Sequence, residues 1–120
     1  MQVRIRKEDT EKIKNMLRRY KEEDVEFNEL NDHFNLKLRR EQISKEEVIK
    51  NLLKPDNLVF VGVSESKNLN YRYVYDLYFK LGKRRIFKIP VSIKPKSLYL
   101  ITIFKIRSRI QNEAIKYYKK

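Results

Sequence analysis

The chain has a single histidine, His33, and one helical turn beyond it comes Lys37, followed closely by Arg39 and Arg40. Further cations gather later, at Arg72, Arg84, Arg85, Lys88 and Lys105, and then at Arg107 and Arg109. Side chains of these kinds suit work on a phosphodiester. Cleaving RNA without a metal needs a base for the 2′-OH proton, cations for the charge of the phosphorane, and an acid for the leaving 5′ oxygen. His33 can act as base or acid because imidazole titrates near neutrality. Arg107, Arg109, Arg84 and Lys37 can hold the phosphate, and Tyr117 or Tyr118 can donate a proton or stack on a base. The candidate catalytic residues are therefore His33, Arg107, Arg109 and Tyr117. Candidates for holding a nucleic-acid backbone are Lys37, Arg39, Arg40, Arg72, Arg84, Arg85, Lys88 and Lys105. Plainer readings stand beside these: a lone histidine flanking an apolar stripe is often a half-buried structural residue, and the arginine pairs at 18–19, 39–40 and 84–85 can be solvated surface.

Composition narrows the choice. In 120 residues, 29 Lys and Arg face 16 Asp and Glu, a net charge of +13 that favours a polyanionic partner, RNA or another nucleic acid. A codon bias that puts lysine on every surface is the blander account of that charge. With no cysteine and one histidine, thiolate zinc sites, disulfides and relays of several histidines fall away. Two glycines and no Walker-type or dinucleotide motif argue against a phosphate loop. Asp76 and the pair Glu46 and Glu47 read as surface and capping residues, with no carboxylate cluster suited to Mg²⁺, so neither metal nor cofactor is expected. No run approaches the ~18 apolar residues of a membrane span, and the start MQVRIRKEDTEK lacks the apolar core of a signal peptide. A cytoplasmic protein, off the membrane, is the expectation.

These residues must be positioned by elements that the periodicity reveals. MQVRIR alternates like a short strand, and Asp9 or Thr10 offers a cap for a helix whose Ile13, Met16, Leu17 and Tyr20 form one apolar stripe. A second helix is expected from about Glu29 to Glu41, with Leu30, Phe34 and Leu38 four apart and His33 and Lys37 beside them. A third runs from about 45 to 54. Ser44 and Glu47 form its capping box, Ile43 and Val48 its staple, Val48, Ile49, Leu52 and Leu53 its buried face, and Pro55 its stop. From Asn57 the period changes to 2. LVFVGV reads as a strand, and YRYVYDLYFKL sets Tyr71, Tyr73, Tyr75, Leu77, Phe79 and Leu81 on one face. Gly82 and Lys83 read as a hairpin turn into RRIFKIPVSI, where Pro90 weakens a central position. LYLITIFKI, apolar on both phases, reads as the most buried strand, and SRIQNEAIKYYKK as a last helix.

The stretch HFNLKLRREQISKEEVIKNLLKP, followed by strands and by ITIF near the end, resembles small microbial domains in which a His opens a basic helix and an Ile-Ser-x-Glu-x-Val helix follows. That set is similar to the BrnT and RelE type toxins of toxin–antitoxin modules, and the ending FKIRSRIQNEAIKYY also looks like the BrnT ending. The resemblance covers about residues 25 to 118 and implies a compact α+β ribonuclease with an acidic protein antitoxin as partner. The chain departs from the pattern in two places. Lys37 and Glu41 stand where Arg would follow the His at one-turn steps, and Gln42 stands where Gly is common.

Together these readings give a single α+β domain over 1–120, with 1–24 as an N-terminal strand and helix extension. Its N-terminal helices are expected on one face of a twisted antiparallel sheet of three to four strands, with a short C-terminal helix. The other face is expected to stay open and carry Arg72, Arg84 and Lys88 as a basic concave surface. The expected function is a metal-independent endoribonuclease toxin of RelE/BrnT type or a descendant. The alternatives are a non-catalytic nucleic-acid-binding module and a basic protein-interaction domain, with a homodimer as a further option.

Overall fold

The computed structural model describes residues 3–7, 9–28, 32–40, 42–65, 73–80 and 86–106. The hairpin expected at Gly82 and Lys83 and the C-terminal helix expected after residue 107 lie outside these residues. The elements run β1 (Val3–Lys7), α1 (Thr10–Leu17), a 3-10 turn (Glu22–Asp24), β2 (Val25–Phe27), α2 (Asp32–Arg40), α3 (Lys45–Leu53), β3 (Leu58–Glu65), β4 (Tyr73–Lys80), β5 (Ile86–Ile93), β6 (Leu98–Leu100) and β7 (Phe104–Ile106). The α+β class holds, but the sheet is larger than expected. Among the described residues it has seven strands, in the order β1-β3-β4-β5-β6-β2 with β7 also paired to β5. It is mixed, because β2 runs parallel to β6. A three-residue strand such as Val25–Phe27 is too short to show an alternation, so the sequence reads it as a break.

Local chemistry explains the helices. Asp9 caps α1 by accepting from the Glu11 and Lys12 amides, and Ser44 caps α3 by accepting from the Glu47 amide at 3.1 Å. Ile13 and Leu17 of α1, Leu38 of α2, and Val48 and Leu52 of α3 are buried in one core with Leu77 and Phe79 of β4 and Phe87, Ile89 and Val91 of β5. The N-terminal segment therefore belongs to the core of the domain.

The end of α2 shows how the chain turns without glycine. The Gln42 amide donates to the Arg39 carbonyl and the Ile43 amide to the Leu38 carbonyl, the paired bonds of a Schellman motif, with Ile43 and Leu38 both buried in the core. Gln42 takes φ 54°, a left-handed conformation that costs a residue with a Cβ about 1–2 kcal/mol. Gln42→Gly is expected to raise the unfolding free energy by about 1 kcal/mol in urea titration; a neutral or destabilising result would contradict this account of the turn.

Pro90 is the second feature that positions the site. Expected to keep β5 away from the centre, it instead lies in the middle of the sheet, paired with Asp76 on β4. Its carbonyl accepts from the Ile101 amide at 3.0 Å, so that edge of the residue, where no N–H exists, faces the stretch 101–103 between β6 and β7. The ladder slips there by one residue. Val91 pairs with Leu100, yet three residues earlier on β5 Lys88 pairs with Phe104, four residues later. One extra residue turns every following side chain to the opposite face. Leu100 thus points into the core while Phe104 leaves on the other side, and LYLITIFKI is two short strands, not the most buried strand of the sheet.

The face expected to stay open is covered. Phe60, Val74, Asp76, Tyr78, Ile86 and Ser92, all on the phase opposite the helix-side core, are no more than 3% exposed. This corrects the expectation of an uncovered basic sheet surface.

Candidate nucleic-acid interface

A row of side chains crosses the covered face. Phe60 pairs with Tyr78, Tyr78 with Lys88, and Lys88 with Phe104, one from each of β3, β4, β5 and β7. The row passes from burial to solvent. Phe60 and Tyr78 are buried and meet edge to face with ring centroids 5.6 Å apart, Lys88 is half-buried, and Phe104 is 40% exposed.

Two ammonium groups converge on the exposed end. The Lys37 Nζ lies 3.8 Å from the centroid of the Phe104 ring, and the Lys88 Nζ lies 5.6 Å from it. Lys37 also donates to Thr102 Oγ1 at 3.2 Å. Lys88 Nζ stands 3.9 Å from the carboxylate of Asp76, which is 1% exposed and is not the surface residue expected from sequence. The two cations thus differ in their surroundings: Lys88 has a carboxylate beside it, whereas among the described residues no carboxylate lies within ion-pair distance of Lys37. Burial pushes the Lys37 ammonium below the ordinary lysine range, and the guanidinium charge of Arg40, one turn on, adds to the effect. An anion placed here would relieve both.

Of the residues singled out in sequence, the fold brings Lys37 and Lys88 together. Arg39 and Arg40 are exposed in the last turn of α2, where they also complement the helix dipole. Lys105 pairs in register with Phe87, so it leaves β7 on the face away from Phe104. His33 belongs to α2, one turn before Lys37, and its side chain lies outside the described positions. Arg72, Arg84, Arg85, Arg107, Arg109 and Tyr117 lie outside the described residues as well. Phe104, Thr102 and Asp76 were not singled out as binding residues. The signal for Phe104 was Pro90: a strand partner broken opposite a proline is where a phase shift belongs.

Among the described residues, no three His, Cys, Asp or Glu side chains group where a metal ion could be held, and no helix is long and apolar enough to cross a membrane. A groove of about 480 Å³ beside α1, lined by Met16, Arg19, Tyr20, Asp24, Pro95 and Lys96, contains none of the expected residues. What the Lys37 and Phe104 cluster can do is hold an anionic group against an aromatic face. The chain matches no protein-family model, no curated protein and no solved structure, so the chemistry of this cluster carries the functional reading by itself.

Proposed function

We propose that this chain acts on RNA and holds its phosphate backbone with Lys37 and Lys88 at the exposed end of the cross-strand row. The observation that carries the reading is Lys37: a half-buried cation seated on an aromatic ring, with a hydroxyl but no carboxylate among its described partners, in a chain of net charge +13. Holding such a charge out of water without an acid costs stability, and a phosphate supplies the missing counter-charge. The surplus cations elsewhere provide the long-range attraction that brings a polyanion to this point.

The test is a salt titration of labelled RNA binding by fluorescence polarisation. Each phosphate contact to a single strand contributes about 0.7 to the slope of log K against log salt, so Lys37→Gln with Lys88→Gln is expected to reduce the slope by about 1.4. Affinity at ~0.1 M salt, where charge contacts are only partly screened, should fall roughly tenfold or more. The contribution of Lys37 should also fade as pH rises through a value below the ordinary lysine range, because deprotonation comes early there. Unchanged affinity and slope in a folded double variant would overturn the reading, as would absence of RNA binding by the wild-type chain.

A cleaving enzyme is the second reading, and the lowered proton affinity of Lys37 together with His33 one turn before it favours that reading. It is the RelE/BrnT-type endoribonuclease that the sequence resemblance implies, with an acidic protein antitoxin as its partner. Cleavage of RNA in EDTA, abolished by Arg107→Ala or Arg109→Ala in folded protein, is its expected signature. Intact RNA and unaffected growth on expression would leave the binding role alone.

A further inference from the structure

We propose that the Phe104 ring is a base-stacking platform that makes the interface selective for single-stranded RNA, with Lys37 covering the ring until a phosphate draws it aside. This rests on the RNA reading above and adds the form of RNA that is recognised. Three observations support it. First, Phe104 is a large apolar side chain left 40% exposed, although its neighbours along the same row, Phe60 and Tyr78, are buried. Second, its ring is the point on which both ammonium groups converge, Lys37 at 3.8 Å and Lys88 at 5.6 Å, so phosphate holders stand beside an aromatic surface. Third, that ring reaches this face only because the ladder slips by one residue opposite Pro90, which sets an aromatic beside Lys88 at the rim of a covered sheet.

The geometry dictates what the ligand must offer. The Lys37 ammonium rests on the ring and bonds Thr102 Oγ1 at 3.2 Å, so an incoming phosphate competes for its donors and removes the cation from the π surface. The surface so exposed is apolar, and a neighbouring unpaired base can cover it. Every base has a π face, so the stacking is tolerant of sequence. In a duplex the bases are stacked on one another and their faces are closed, so a duplex offers the phosphate without the base. A phosphate with no base leaves the ring exposed and gains only the charge contact.

The experiment compares a short single-stranded RNA, the duplex of the same sequence and inorganic polyphosphate, using the full chain with Phe104 or with Phe104→Leu. Leucine keeps an apolar side chain but has no π face, and the position is exposed enough that the melting temperature should stay within a few degrees. The wild-type chain is expected to bind the single strand about tenfold or more tighter than the duplex. Phe104→Leu should remove that difference while polyphosphate affinity changes less than about twofold. An unchanged single-strand preference in Phe104→Leu would overturn the platform, and so would an equal loss for all three probes, which would make the ring only a seat for Lys37. Equal wild-type affinity for single strand and duplex would overturn it too, yet leave the phosphate contacts standing. Failure of the wild-type chain to bind any of the three at ~0.1 M salt would remove both proposals together.

Discussion

Phe87→Ala is expected to lower the unfolding free energy by about 3 to 5 kcal/mol, read as a shift of the urea midpoint at unchanged slope. Phe87 is 0% exposed and stands on the central strand β5, paired across β4 with Phe79 and across β7 with Lys105. Its ring belongs to the core that the helices share with the sheet. Truncation removes the transfer free energy of the ring and leaves a cavity between strands that ladders on both sides hold in place, so collapse cannot refill it. A domain of this size has only about 5 to 15 kcal/mol in total, so this one side chain carries a large share of it. A loss below about 1 kcal/mol would mean that the helix-side core is not packed around β5.

Asp76→Ala should cost about 3 kcal/mol, the lower end of the range for breaking a buried ion pair. The carboxylate is 1% exposed and stands 3.9 Å from the Lys88 Nζ, so removing it strips a counter-charge from a cation that the same face encloses. The lower end applies because the Lys88 side chain keeps 20% of its surface in solvent and can move its charge outward. The same change should raise RNA affinity, since it removes one counter-charge from the Lys88 ammonium next to Phe104. Stability and binding are thus expected to move in opposite directions. A double-mutant cycle with Lys88→Met measures the coupling, and a cycle energy near zero would show that Asp76 is held by other partners.

Much of the fold is legible in the sequence, for reasons that are local. Ser44 and Pro55 bracket α3 because a side-chain cap and a missing N–H act within a single turn. The alternation of Leu77 and Phe79, and of Phe87, Ile89 and Val91, marks the core face because the period of a strand is fixed. What depends on distant partners was not legible. Glu26 and its two neighbours in β2 form a strand only because β6 lies alongside, 73 residues downstream. Asp76 looked like a surface residue because its alternation with Leu77 gives the face but not whether that face is covered. For the candidate site, Lys37 and Lys88 could be picked out by charge, but their meeting could not. It depends on Phe104 changing sides, which follows from the geometry of Pro90 and Ile101 across the sheet.

The strand order has a consequence for how the protein is made. Among the described strands, β1 beside β3 and β2 beside β6 end the main path of the sheet, and both come from residues 3–27. On a ribosome these two pieces emerge before anything they can join. The second cannot join its neighbour until Leu98–Leu100 has left the exit tunnel, after β3 has already offered a partner to the first. The nascent chain therefore carries the β2 border unzipped for longer than the β1 border, and the like charges of Arg4, Arg6 and Lys7 are well suited to keeping the first segment from sticking to its neighbours while it waits for β3.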